Sequence, residues 1–198
     1  MTTAHILHGI HVTDPSGSVG KLKPYFEEVG FEQVIVHSYG YIFALSILPN
    51  AARWKNPKIV EKILPQIEDG DIVVGHSNGG TVAWMLAERG APFCGAVLIN
   101  PALDADAALA PQVKWAQVYH NEGDGVVWWS KFLISHPWGE QGRVGYTGSR
   151  KGYTNFDTKT ENPPATGHLG IFTKENFPIW APRIASRAWI SHLNHSEK

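Results

Sequence analysis

Ser77 stands at the centre of the segment Gly75-His76-Ser77-Asn78-Gly79. A serine hydroxyl becomes a useful nucleophile when a base removes its proton and the backbone holds it clear of its neighbours. The flanks supply the second condition. The apolar run Asp71-Ile72-Val73-Val74 enters as a strand, and residues 79–89 leave with helical spacing, ended by Gly90. So sharp a turn strains the serine backbone and crowds the residues two before and two after it, where glycine alone leaves room. Gly80 lets the helix lie close to the strand. The helix N-terminus behind Ser77 offers free N–H groups and a positive dipole to an oxyanion. The chemistry expected is acyl transfer; the bland interpretation is a glycine-rich turn with an idle serine.

The elements around this turn follow from apolar patterning. Ile6-Leu7 opens a short strand ending at His8-Gly9, and Gln33 to His37 is a second, rich in β-branched residues. Gly95 to Ile99, Trp115 to Tyr119 and a weaker Arg143 to Tyr146 complete six strands with the one before Ser77. Helices are expected over residues 20–29, over 56–64 with Pro57 in the first turn, and over 177–192. Strands apolar on both faces and separated by helices imply a parallel sheet covered on both sides, a three-layer α/β/α sandwich. Thr147 to Gly167, rich in Gly, Thr, Lys, Asn and Pro, breaks the rhythm as a functional or mobile loop, with a hairpin expected through Tyr153 to Phe156.

Composition narrows the function classes. The 198 residues, 17 Lys+Arg against 18 Asp+Glu and 43% hydrophobic content fit one domain, 1–198, with a sizeable core. A net charge of −1 gives no general attraction to nucleic acid or anionic membrane. Cys94 is the only cysteine, which excludes an intrachain disulfide and a cysteine-cluster metal site; its apolar neighbours mark it as a core residue. His5, His8 and His11 are spaced by three, which on a strand puts neighbours on opposite faces, so no metal is expected there. His192 and His195 read as a solvated tail. No cofactor is implied. No apolar run reaches the length of a membrane span, and the first residues lack a signal-peptide pattern, so a cytoplasmic location is expected. The oligomeric state is open.

The Gly-x-Ser-x-Gly turn between strand and helix resembles that of the α/β-hydrolase fold family, especially its small members without a cap, and the resemblance spans nearly the whole chain. It implies the order serine, acid, histidine. The implied acid is Asp124 in Asn121-Glu122-Gly123-Asp124-Gly125-Val126-Val127, with Asp104 and Asp106 as its main rivals and Glu122 and Asp157 behind them. Asn121 departs from the family, which often has glycine there. The implied base is His168 in Gly167-His168-Leu169-Gly170. The resemblance also implies oxyanion donors in the N–H groups of Asn78 and of Ile10, the latter in His8-Gly9-Ile10-His11, with His8 bracing that loop by hydrogen bonding.

Only residues 100–114 separate the strand ending at Ile99 from the next, which leaves no room for a cap. The expected fold is therefore a minimal α/β hydrolase with an open site, its specificity set by loops at 11–18, 38–54, 128–142 and 147–167. Gly9, His76, Trp128 and Trp129 are candidate substrate contacts. Eight tryptophans are more than the core of one domain obviously needs. Trp84, Trp115 and Trp189 are assigned to packing, and Trp54, Trp128, Trp129, Trp138 and Trp180 are candidates for pocket walls. The expected activity is hydrolysis of small carboxylic esters through an acyl-enzyme. A thioesterase or deacylase with the same residues, and a non-catalytic interaction protein on the same fold, are the alternatives.

Overall fold

The structure, a computed structural model, describes residues 2–10, 12, 14–40, 51–130 and 139–196. Its strands are β1 (Thr3–Leu7), β2 (Gln33–His37), β3 (Ile72–His76), β4 (Gly95–Ile99), β5 (Trp115–His120) and β6 (Tyr153–Asp157). Its α-helices are α1 (Lys23–Val29), α2 (Ala51–Ile63), α3 (Asn78–Glu88), α4 (Gly125–Ser130), α5 (Gln141–Val144) and α6 (Phe177–Ser196). The strands form one six-stranded sheet in the order β2-β1-β3-β4-β5-β6, and every neighbouring pair is parallel.

Alternation along the strands divides the core into two layers. Ala4, Ile6, Ile72, Val74, Val97 and Ile99 face α1 and α6, meeting Phe26, Trp180, Ile184 and Ala188. Leu7, Val73, Ala96 and Leu98 face the other way, onto Ile59, Val60 and Ile63 of α2 and Val82 and Leu86 of α3. Cys94 is buried, as expected. The chain passes from β1 to β2 on one side, then returns to place β3 on the other. Loops leaving β1 and β3 therefore diverge and open a crevice at the carboxyl ends of the strands. Residues 100–114 join β4 to β5 without a cap.

Some sequence expectations are corrected. The sixth strand is Tyr153–Asp157, parallel to β5, rather than residues 143–146. Gln141–Val144 is a helical turn whose backbone instead ties two loops: Gly142 N–H donates to the Pro101 carbonyl (2.9 Å) and its own carbonyl accepts from Asn121 N–H (3.1 Å). The hairpin expected through Tyr153 to Phe156 is this half-exposed edge strand. Helix α2 begins at Ala51, so Pro57 lies inside it rather than in its first turn. His192 is not a solvated tail residue: it is buried, stacked on Trp189 with ring centroids 5.6 Å apart. No described helix is long and apolar enough to cross a membrane.

A buried polar chain laces the first three strands together. His5, fully buried on β1, donates from Nε2 to Asp71 Oδ2 (3.0 Å) and accepts at Nδ1 from His37 Nε2 (2.8 Å). The Asp71 carboxylate also accepts the N–H groups of Thr3 (2.9 Å) and Glu68 (2.8 Å). Burial pushes the Asp71 carboxyl upward, but these hydrogen bonds prevail and hold it below its ordinary value. Burial, helped by the charges of His5 and Lys62, pushes the His37 imidazole down to about 4. An unfolded His37 takes up its proton near pH ~6.5, so between that value and about 4 the unfolded chain binds more protons and stability rises with pH. We predict that the unfolding free energy falls as pH drops through this window. His37→Gln should flatten the fall by up to about 3 kcal/mol in urea titrations across the window. An unchanged slope would remove His37 from the account.

Candidate active site

Ser77 ends β3 with φ 57° and ψ −122°, a region that non-glycine residues rarely occupy. Neighbouring strands and loops hold it there. Its N–H donates to the Ile99 carbonyl (3.0 Å), and its carbonyl accepts from Ala102 (3.1 Å) and Gly80 (3.0 Å). The glycine requirement is steric. A Cβ on Gly75 would lie 2.7 Å from the Gly79 carbonyl group, and one on Gly79 would strike the Leu7 carbonyl. Asn78 opens α3, so its N–H is among those without an intrahelical acceptor. Its side chain is locked to Asn56 of α2 by two reciprocal amide bonds of 2.9 and 3.1 Å.

The loop after β1 comes directly against the serine. A Cβ on Gly9 would lie 2.9 Å from Ser77 Cβ, so only glycine permits the approach. His8 Nδ1 donates to the Gly9 carbonyl (2.7 Å). That carbonyl shares a planar peptide unit with the Ile10 N–H, so holding one fixes the direction of the other. Burial lowers the His8 pKa despite the hydrogen bond to Gly9, which keeps the ring neutral. Tyr39 stacks on the His8 ring at 3.8 Å between centroids and donates its hydroxyl to the His8 carbonyl. Tyr39 is a bracing residue that sequence reasoning did not single out.

His168 and Asp124 are brought together. His168 Nδ1 donates to Asp124 Oδ2 (2.8 Å), which leaves the Nε2 lone pair for a proton. The Asp124 carboxylate is wholly buried. It also accepts from Asn100 Nδ2 (2.9 Å) and from the Val127 N–H (3.0 Å). Asp104 and Asp106 have no such contact with His168. Asn100, at the end of β4 with φ 44°, is a second residue that the sequence did not flag. Asn121 hydrogen-bonds Gly167 through both amide groups, accepting its N–H at 2.8 Å and donating to its carbonyl at 3.3 Å. Asn121 thereby ties the Asp124 loop to that of His168.

His76, just before the serine, is buried against this pair. Its Nε2 donates to the His168 carbonyl (3.2 Å), and its ring packs on those of His168 and Phe172, each 4.9 Å away. Burial, then the neighbouring His168, pushes the His76 pKa down to about 3. Through His76 the His168 loop rests on the serine turn. Its far side is fastened to α6: Glu161 takes Arg187 through two parallel bonds of 3.0 Å and Arg183 through one of 3.1 Å. Asn176 Nδ2 donates to the Gly170 carbonyl (2.8 Å). The segment 147–167 is thus pinned at several points.

Of the candidate wall residues, Trp128 is half-buried on α4. The Trp54 and Trp129 side chains and all of Trp138 lie outside the described residues. Trp180 is fully buried in the core, its Nε1 donating to the Pro163 carbonyl (3.1 Å), so it packs rather than lines a pocket. Among the described residues no group of three or more metal-ligating side chains assembles.

No family model matches this chain, and no curated protein sequence does. Solved structures resemble it in fold. A monoacylglycerol lipase from Paleococcus ferrophilus aligns at TM-score 0.58 and 14% identity, over 96% of this chain and 94% of its own. A pyrethroid hydrolase aligns at 0.56 and 12% identity over 100% of both chains. A protein from Xanthomonas campestris pv. campestris, described as a hydrolase of the α/β superfamily, aligns at 0.53 and 16% identity over 98% of both. A parallel sheet with a strained strand-to-helix turn at its centre, and neighbours of this kind, identify the chain as an α/β-hydrolase fold protein in a minimal form without a cap.

Proposed function

We propose that the chain is a serine hydrolase of carboxylic esters, with Ser77 as nucleophile, His168 as general base and then acid, and Asp124 as the group that orients His168. One observation carries the reading. The 2.8 Å bond from His168 to the buried Asp124 carboxylate lies at the carboxyl ends of the parallel strands, as does a serine held at φ 57°. In this mechanism the Ser77 hydroxyl oxygen attacks the ester carbonyl carbon while His168 Nε2 takes its proton. The tetrahedral oxyanion is held by the N–H groups of Ile10 and Asn78. The C–O bond to the leaving alcohol then breaks, and His168 returns the proton to that alcohol. Water enters by the same base and releases the acid. The lipase and the pyrethroid hydrolase of similar fold support an ester over other acyl substrates.

A fluorophosphonate probe and a panel of p-nitrophenyl esters of graded chain length test the reading. Ser77 should be labelled in the folded protein and Ser77→Ala should abolish turnover. A folded protein whose Ser77 stays unlabelled would instead be an interaction module on this fold. Asp124→Asn should lower kcat by about 10³–10⁴-fold, because His168 loses its orienting acceptor. Asp104→Asn and Asp106→Asn should stay within a few-fold of the parent, and the opposite ranking would reassign the acid. Asn100→Ala, which removes one donor to the Asp124 carboxylate, should lower kcat about tenfold with KM little changed.

A further inference from the structure

A second concavity lies beside the oxyanion loop. It is a cavity of about 340 Å³ walled by Ser38 and Tyr39 from the end of β2 and by Lys55, Lys58, Ile59 and Lys62 from α2. The three lysines stand three and four residues apart, on one face of the helix. Among the described residues no carboxylate pairs with Lys58 or Lys62. Nearby Glu61 pairs instead with Arg89 (3.6 Å), and the Lys62 ammonium donates to the Ser38 carbonyl at 3.5 Å. A chain with a net charge of −1 thus gathers three cations around one hollow.

The hollow is joined to the candidate site at two points. Tyr39, part of its wall, stacks on His8 and hydrogen-bonds the His8 carbonyl. Asn56, between Lys55 and Lys58, is locked to Asn78, the residue after Ser77. The opposite end of the site differs in character. Across the sheet, at the β5 and β6 end, Val126 and Leu169 flank Asp124 and His168 with 52% and 57% of their surface exposed. An apolar rim thus lies on the histidine side of the site and a cationic wall on the side of the His8-Gly9 loop, which Tyr39 joins to the hollow.

We propose that this lysine-walled cavity is an anion subsite, and that the preferred substrates are esters carrying a carboxylate or phosphate group on the part of the molecule that reaches past Tyr39. The proposal rests on the ester-hydrolase reading. A lysine ammonium attracts such a group as a point charge without demanding a fixed geometry. Opposite charges near a protein surface also attract strongly enough to select among substrates.

Two matched ester pairs test it: p-nitrophenyl butyrate against mono-p-nitrophenyl succinate, and phenyl acetate against 4-carboxyphenyl acetate. In at least one pair kcat/KM should favour the anionic ester. That preference should fall about tenfold in the Lys58→Gln/Lys62→Gln double variant, and should shrink as salt is raised. Preference for the neutral ester in both pairs, or a preference indifferent to the double variant, overturns the proposal. Calorimetric titration of Ser77→Ala with succinate and with inorganic phosphate separates the two readings. If Ser77 proves unreactive while these anions still bind in a lysine-dependent manner, the hydrolase reading fails and the anion site stands. If Ser77 reacts but neither anion binds and no preference is seen, the anion site alone fails.

Discussion

The buried carboxylate of Asp124 is the constraint around which the rest of the site is arranged. An ionised group with no exposure to water must be surrounded by donors, because its lost hydration is recovered in no other way. The donors are His168 from the loop before α6, Asn100 from the end of β4 and the Val127 N–H from α4. One side chain thereby fixes the relative positions of three segments. Asn100 passes the constraint on. Its φ of 44° is one that asparagine tolerates, and its N–H donates to Tyr119 of β5 (2.8 Å). The serine turn hangs from the same corner through Ile99 and Ala102. Removing a donor here leaves a charge without solvent rather than merely subtracting a contact.

Histidines supply the contrast. His8 and His76 are both pushed down by burial, and each braces a loop as a neutral donor to a backbone carbonyl. Neither competes with His168 as a cation beside Asp124. The lysines stand apart, separated from the serine by the Tyr39 and His8 rings. The Asp124 carboxylate against His168 and the lysines of the hollow are two separate charged groups, and the His8 and Tyr39 rings that link the hollow to the serine turn are neutral.

What the sequence made legible was local. The close approach of Gly75 to Gly79 and Gly80 involves residues a few positions apart, so spacing alone implied it, whereas the Leu7 carbonyl that crowds Gly79 lies far back in the chain. Strands apolar on both faces announced a covered parallel sheet. The misread elements depend on partners far along the chain. Tyr153–Asp157 mixes aromatic and polar residues as a solvated hairpin would, and only pairing with β5 makes it a parallel edge strand. His5 finds Asp71 sixty-six positions away (|i−j| = 66) and His37 thirty-two away (|i−j| = 32), pairings no periodicity announces. Asn100 and Asn121 look like ordinary turn residues until their amide groups are seen bridging separate loops.

The double grip of Arg187 on Glu161 gives the chain a fixed order of completion. Synthesis proceeds from the N-terminus, and folding tends to follow the same direction. The serine turn and the Asp124 loop precede α6 in the chain, although β1, β3 and β4 bury one face against that helix. The segment bearing His168 lacks its anchorage through Glu161 until Arg183 and Arg187 emerge and α6 lies down beside it. A partly made chain would therefore carry the Ser77 turn before the segment 147–167 has its full set of anchors.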